Sequence, residues 1–133
     1  MITIVQRGIK YGQSDRPDMA MRNILIDGLQ FEGPMTFGKT EIPSVPAIAH
    51  ICTEAGEGMK IMSVVHGTDI AKTIAESPKM DCWKKHADHG NIDVYLNTDD
   101  MSEQKREDFR ISAIAKRIKY IFCDELPKIE DDW

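Results

Sequence analysis

Two apolar runs joined by a glycine-rich turn constrain the fold of this chain more than any other feature. The runs occupy residues 46–53 and 59–66, and a Glu-Ala-Gly-Glu-Gly segment separates them. Short apolar runs around such a turn are typical of a β-hairpin. The sequence therefore predicts an antiparallel hairpin over residues 46–66, with His50 and His66 side by side on adjacent strands beneath the last long helix.

The residues that follow the hairpin predict a change from strand to helix. Gly67 ends the second run, and Thr68 or Asp69 could cap a helix that begins at Ile70. Backbone N–H groups at such a junction face solvent, which makes it a usual place for an anion or a catalytic cluster. We therefore expect a functional site near Gly67.

The elements beyond this junction alternate between helix and strand. Helices are predicted near residues 69–76 and 80–89, a third strand at about 91–97, and a long helix at about 102–121. The predicted fold class is therefore α+β, with a small sheet of the hairpin and the third strand flanked by helices. A last extended piece could follow at Tyr120–Cys123.

Length and local breaks predict the domain organisation. A chain of 133 residues, 41% of them hydrophobic, is the size of one domain with one core. Glycine and proline interrupt residues 1–42, which we interpret as an N-terminal extension packed on a central unit of residues 44–124. Within the extension, Met1–Val5 predicts a strand and Met21–Leu29 a short helix or strand. Residues 125–133 form an acidic tail.

Charge and cysteine content limit the classes of partner and compartment. With a net charge of −5, the chain could bind nucleic acid only through a local basic patch. Its three cysteines show no CxxC spacing, which suits a reducing compartment. Neither a leader segment nor an apolar run long enough to span a bilayer is visible. We therefore expect a cytoplasmic protein that binds no membrane; the composition predicts no oligomeric state.

The last long helix predicts an apolar face that contains a carboxylate. Residues placed at about 100° intervals form one apolar stripe, which consists of Ile111, Ile114, Ala115, Ile118 and Ile121. Glu107 falls within this stripe near the amino end of the helix, where it could ligate a divalent cation or simply be solvated. Arg106, Arg110 and Arg117 line a neighbouring face, which could be a phosphate track or a solvated surface.

The order of these elements resembles the GIY-YIG nuclease domain over roughly residues 44–124. Residues 47–51 stand where that family has its first motif, and residues 65–70 look like its second motif running into a helix. The Cys-Trp-Lys-Lys-His segment at 82–86, followed by Gly90 and a strand, is similar to a further passage of the family. The resemblance implies a metal-dependent nuclease in which two tyrosines align water and phosphate, an arginine stabilises charge and a glutamate holds the metal.

Several residues at the motif positions depart from the family pattern. In the first motif His50 lies beside Ala49, and in the second His66 or Val65 stands in place of a tyrosine. Lys72 and Thr73 lie where the arginine would be. Glu107 matches the glutamate, so Mg²⁺ is the cofactor that the resemblance implies for an active nuclease. Because histidine can act as a general base near neutral pH, the candidate catalytic set is His50, His66, Lys72 and Glu107. Candidate nucleic-acid contacts are Lys84, Lys85, Arg106, Arg110 and Arg117.

The altered motifs favour a binding protein over an enzyme. We interpret the chain as a non-catalytic interaction or inhibitor protein on a GIY-YIG-like scaffold, of phage or mobile-element origin, that needs no cofactor. Its partner would be a protein or a component that processes nucleic acid, and the acidic tail would suit docking on a basic surface. The alternative is a metal-dependent endonuclease with a variant site at His50, His66 and Glu107.

Two further interpretations use other residues. Cys82, His86 and His89 are spaced so that they could bind a transition metal, although a free cysteine is more often a core residue. A rival fold is the doubly wound parallel sheet of DsrE-type sulfur-relay proteins, which also place a Val-His-Gly segment before a helix. This fold requires Pro46–Ala55 to be helical. The hairpin is preferred, because those proteins commonly work through a cysteine after a later strand and none follows Tyr95 here.

Overall fold

The computed structural model describes residues 21–55, 58–87, 90–117 and 119–124. Its elements are β1 (Arg22–Ile26), β2 (Leu29–Thr36), β3 (Ala47–Ala55), β4 (Gly58–Gly67), α1 (Ile70–Ala75), α2 (Met80–His86), β5 (Asp93–Asn97) and α3 (Glu103–Lys116). The predicted α+β class is confirmed, since three helices flank a five-stranded antiparallel sheet. Within these ranges, no helix has both the length and the apolar character needed to cross a membrane.

Strand β3 is central to the site, because both β4 and β5 pair with it in the sheet order β1-β2-β5-β3-β4. The β3–β4 pair is the predicted antiparallel hairpin, running from Ala47 opposite Gly67 to Ala55 opposite Gly58. The rival doubly wound fold is wrong, since residues 47–55 are extended and antiparallel to β4. The middle of the turn, residues 56–57, lies outside the described residues.

The predicted N-terminal extension contributes two strands to this sheet. Asp27 and Gly28 form the turn between β1 and β2, with φ values of 54° and 90°, and Ile26 pairs with Leu29 across it. Positive φ at both central residues is the mark of a type I′ hairpin turn, for which Asp-Gly is a favoured pair. Residues 22–29 are therefore a strand and a turn rather than a helix, and the predicted strand Met1–Val5 lies outside the described residues.

Pro34 lies inside β2 rather than ending a segment. Proline lacks a backbone N–H, and the register between β2 and β5 is irregular between Glu32 and Met35, the kind of position where proline is tolerated. The preceding Gly33 is needed for close packing, because a Cβ atom there would lie 2.6 Å from the Val94 carbonyl oxygen.

Each face of the sheet carries its own core. One core packs α1 and α2 against the sheet and contains the fully buried Trp83. The other core lies under α3 and contains Phe31 and Tyr95. Successive residues of β3 alternate between the two cores, as the two-residue period of a strand requires.

Helix α3 faces the sheet with a side that only partly coincides with the predicted apolar stripe. Ile114 is buried as predicted, but Ala115 is exposed, whereas Arg106 is buried and only 7% of its surface is accessible. The helix also ends at Lys116 rather than at Ile121, and Ile118 lies outside the described residues. The long apolar stems of arginines can cover a sheet while their guanidinium groups bind carboxylates, so a basic stripe can form the inward face.

The two short helices agree with the prediction at their amino ends. Asp69 caps α1, because its carboxylate accepts the Lys72 backbone N–H at 3.2 Å. Helix α2 begins at Met80 as predicted but ends at His86.

Residues 121–124, which we call the edge segment, run along the outer edge of β4. The Cys123 N–H donates to the Met62 carbonyl at 2.9 Å. The Asp124 carboxylate accepts the Val64 N–H at 2.9 Å and the Ser63 hydroxyl at 2.8 Å. The segment therefore covers the edge of the sheet without forming the predicted last strand.

A disulfide bond between Cys82 and Cys123 ties the edge segment to α2. The sequence analysis did not predict this pair. A sulfur in a disulfide is not a thiolate, so Cys82 in this form cannot be a ligand of the predicted Cys82, His86 and His89 metal site. His89 lies outside the described residues, and Cys52 is free and buried.

Opening this disulfide should lower the free energy of unfolding by up to about 4 kcal/mol, because the bond closes a loop of 41 residues in the unfolded chain. Urea unfolding with and without dithiothreitol measures the difference. The variant Cys82→Ser should unfold at a lower urea concentration that dithiothreitol does not change. Equal midpoints for the oxidised and reduced wild-type chain would contradict the expectation.

Candidate functional site

The clearest polar cluster joins the end of β4 to the first turns of α3. His66 Nε2 lies 2.8 Å from Glu107 Oε1. Arg110 binds the same carboxylate with two hydrogen bonds, Nε to Oε1 at 2.8 Å and Nη2 to Oε2 at 2.7 Å. Both carboxylate oxygens therefore have cationic or imidazole partners, in the two-pronged geometry that makes arginine–carboxylate pairs strong.

This cluster forms one wall of a cleft with a volume of about 620 Å³. The floor is the last part of β4, and α1 and the turn after it form the opposite wall. Charged groups that line the cleft are His66, Asp69, Lys72, Glu76, Lys79, Glu107 and Arg110. The structure thus brings three of the four candidate catalytic residues, His66, Lys72 and Glu107, to a single cleft.

His50 lies apart from that cleft. Its side chain is fully buried, with the Phe31 ring 4.4 Å away edge to face and the Phe109 ring at 6.0 Å. Its nearest charged neighbour is Asp27, whose Oδ2 lies 3.5 Å from Nε2, too long for a good hydrogen bond. The predicted association of His50 with Glu107 is therefore not seen in the described structure.

Asp27 belongs to a second polar cluster at the opposite end of α3. Arg117 binds the Asp27 carboxylate through Nη1 at 2.7 Å and Nη2 at 2.9 Å, and the Lys116 ammonium lies 3.8 Å away. The pair joins the β1–β2 turn to the residue that ends α3. Arg117, a candidate nucleic-acid contact, is thus engaged in an internal ion pair.

The contacts of each cluster set the pKa values of its groups. Hydrogen bonds from Arg110 outweigh burial and, together with His66, lower the pKa of Glu107 to about 2. The same carboxylate raises the pKa of Arg110.

Burial raises the pKa of Asp27, but His50 and Arg117 outweigh that effect and leave the pKa of Asp27 well below its usual value. Burial lowers the pKa of His50, and nearby Asp27 offsets only part of this.

The candidate nucleic-acid contacts have different surroundings. Lys84 and Lys85 are exposed on α2. Arg106 is buried, and Arg110 and Arg117 each bind a carboxylate. The three arginines therefore form an inward-facing stripe rather than a solvent-facing phosphate track.

The geometry limits the chemistry of the histidines. His66 uses Nε2 to contact Glu107, and its Nδ1 is buried without a hydrogen-bond partner among the described residues. Both ring nitrogens of His50 are likewise buried. A general base must reach the proton that it removes, but Nδ1 of His66 is buried, Nε2 of His66 already contacts Glu107, and His50 lies outside the cleft. In the described part of the chain, no three His, Cys, Asp or Glu residues are grouped so that they could hold a metal ion.

Sequence analysis missed two carboxylates that organise these clusters. Asp27 could have been found from its Asp-Gly pair between alternating apolar residues, a strong local hairpin signal. Asp124 reaches Ser63, Val64 and Lys79 from far along the chain, and no local pattern marks those contacts.

No family model, curated protein or solved structure matches the chain. The GIY-YIG resemblance therefore stays a prediction that depends on motif order and on the arrangement of the elements.

Lowering the pH from about 7 to about 5 should destabilise the protein through His50. Its pKa in the folded chain is below the unfolded value of 6.5, so the unfolded chain binds the proton first and stability falls as the pH drops below that value. Glu107 stays ionised in both states until the pH approaches 4.5 and adds little in this range. Urea unfolding as a function of pH should show a decline that His50→Gln reduces; an unchanged pH profile in that variant would exclude His50 as the cause.

Proposed function

We propose that this chain is a non-catalytic interaction or inhibitor protein on a GIY-YIG-like scaffold, of phage or mobile-element origin. The observation that carries the proposal is the internal pairing of the cleft residues: His66 Nε2 contacts Glu107, His66 Nδ1 is buried, and Arg110 binds the Glu107 carboxylate. A nuclease needs a base that reaches water and a carboxylate free to hold a metal. The internal pairing of Glu107 with Arg110 supports a structural role for this carboxylate.

A metal-dependent endonuclease is the second candidate. It is favoured by the meeting of His66, Lys72 and Glu107 in one cleft, which is the neighbourhood that the resemblance implies. In that case Glu107 would have to leave Arg110 to ligate Mg²⁺, which would supply charge stabilisation for phosphoryl transfer. His50 would have no part in this site, since it lies in the other polar cluster.

The partner in the favoured proposal is a protein or a component that processes nucleic acid, with no membrane and no cofactor involved. A cytoplasmic location belongs to the same proposal. In a reducing cytoplasm the Cys82–Cys123 bond would be open for part of the protein's lifetime, because such compartments keep thiols reduced.

The proposal predicts that the purified chain cleaves neither supercoiled plasmid nor single-stranded RNA, with Mg²⁺ or with Mn²⁺. Gel electrophoresis of each substrate should show the same pattern with and without EDTA. Glu107→Gln, which keeps the size of the side chain and removes its charge, should leave this null result unchanged and lower stability, since Arg110 loses its charged partner.

Metal-dependent cleavage that EDTA stops would overturn the proposal. Loss of that cleavage in Glu107→Gln, in protein whose circular dichroism matches wild type, would establish the endonuclease. Asp108→Asn is the matched control, because Asp108 is an exposed carboxylate on the same helix outside the cleft.

A further inference from the structure

The edge segment and α2 together present an exposed aromatic and basic surface. Tyr120, just before this segment, is 71% exposed, and Phe122 within it is 45% exposed. Few large apolar side chains of the described residues are so accessible. We call this region the aromatic–lysine surface; it consists of Lys60, Lys84, Lys85, His86, Lys119, Tyr120 and Phe122.

Direct contacts hold this surface together. The Phe122 ring stacks on the His86 ring with centroids 5.1 Å apart, and the Lys60 ammonium lies 5.0 Å from the Phe122 centroid. The Cys82–Cys123 bond fixes the adjoining residue to the same helix. Phe122 is thus engaged with its neighbours, whereas the more exposed Tyr120 is the ring available to a ligand.

The described part of this surface carries four lysines, although the chain is negative overall. Lys84, Lys85 and Lys119 are exposed and Lys60 is partly exposed, and the exposed Asp81 of α2 is an acidic neighbour among the described residues. The net charge of the chain is −5. Clustering of cations against this background is the local basic patch that nucleic-acid binding by an acidic protein requires.

This surface is distinct from the cleft. Lys60 and His66 are six positions apart on β4, which corresponds to about 20 Å along a strand. None of the residues of the aromatic–lysine surface lines the cleft. Binding at one place can therefore be tested without disturbing the other.

We propose that the aromatic–lysine surface binds single-stranded nucleic acid, and that the Cys82–Cys123 disulfide is needed to assemble it. A base stacks on Tyr120 while the lysines of the aromatic–lysine surface contact phosphates. A single strand fits better than a duplex, because only unstacked bases offer a face to an exposed ring. The proposal rests on the non-catalytic function above, since the strand is held and not cleaved.

Reduction would disassemble the surface. A dithiol such as dithiothreitol donates two electrons and two protons, its own sulfurs form a disulfide, and Cys82 and Cys123 become free thiols. The edge segment then keeps its hydrogen bonds to β4 but loses its covalent link to α2. The Phe122 ring would no longer be held beside the His86 ring of α2 by the adjoining covalent bond, so affinity should fall.

The test is fluorescence anisotropy of labelled oligo-dT and oligo-U with the oxidised full-length chain, in EDTA and at low salt. Tyr120→Ala should weaken binding about 5- to 150-fold, the range expected for one stacked base, whereas Tyr120→Phe should retain it. The double variant Lys84→Ala/Lys85→Ala should reduce the slope of log affinity against log salt by roughly 0.7 for each lysine that contacts a phosphate. Lys105→Ala, an exposed lysine of α3, is the matched charge control and should bind like wild type.

Binding measured with and without reductant distinguishes recognition by an assembled surface from general electrostatic attraction. Dithiothreitol should weaken wild-type binding, and Cys82→Ser should bind weakly with or without it, with circular dichroism confirming that both remain folded. No binding at low salt, or binding unchanged by Tyr120→Ala, would overturn the proposal. If polyglutamate displaces the labelled oligonucleotide as well as unlabelled oligonucleotide does, the result would overturn the proposal in favour of an acidic protein partner. Because EDTA is present throughout, these results are independent of the cleavage assay that tests the non-catalytic function.

Discussion

The sharing of β3 between β4 and β5 determines where His50 and His66 lie. Because β3 is hydrogen-bonded on both edges, its register with β4 is fixed, with Ile48 opposite His66 and His50 opposite Val64. Both histidines therefore lie on the face covered by α3. The helix crosses that face so that Glu107 meets one histidine and Phe109 the other. His50 and His66, on two neighbouring strands, therefore have different contacts with α3.

Glu107 and Asp27 are each bound by an arginine, but the two ion pairs differ in the sequence separation of their partners. Glu107 and Arg110 are three residues apart on one helix, so the pair can form as soon as the helix does. Asp27 and Arg117 are 90 residues apart and meet only in the folded sheet. The first pair neutralises a cleft wall and the second fixes the orientation of α3 relative to the β1–β2 turn. An inward stripe of arginines serves both purposes.

The parts of the fold with local signals could be predicted from sequence. The β3–β4 hairpin, the Asp69 cap of α1 and the burial of Trp83 each depend on residues close in sequence or on a strong hydrophobic preference. The inward face of α3 could be predicted only in part, because hydrophobic periodicity places Ile114 in the core but does not credit the apolar stems of arginines. The contacts of Asp124 and the Cys82–Cys123 pair also depend on tertiary placement. Of the four candidate catalytic residues, His66, Lys72 and Glu107 share a cleft, and His50 lies in the other polar cluster.

The position of β2 in the sheet has a consequence for the order in which the chain can fold during synthesis. Apart from its hairpin partner β1, the neighbour of β2 is β5, with Glu32 opposite Leu96. A two-stranded hairpin alone is marginally stable in water, so β1 and β2 must wait until the ribosome has made residues 93–97. The β3–β4 hairpin is complete before residues 93–97 are made, and α1 and α2, which also precede β5, can pack against it. β1 and β2 therefore precede the other described strands along the chain but are among the last to find their permanent place.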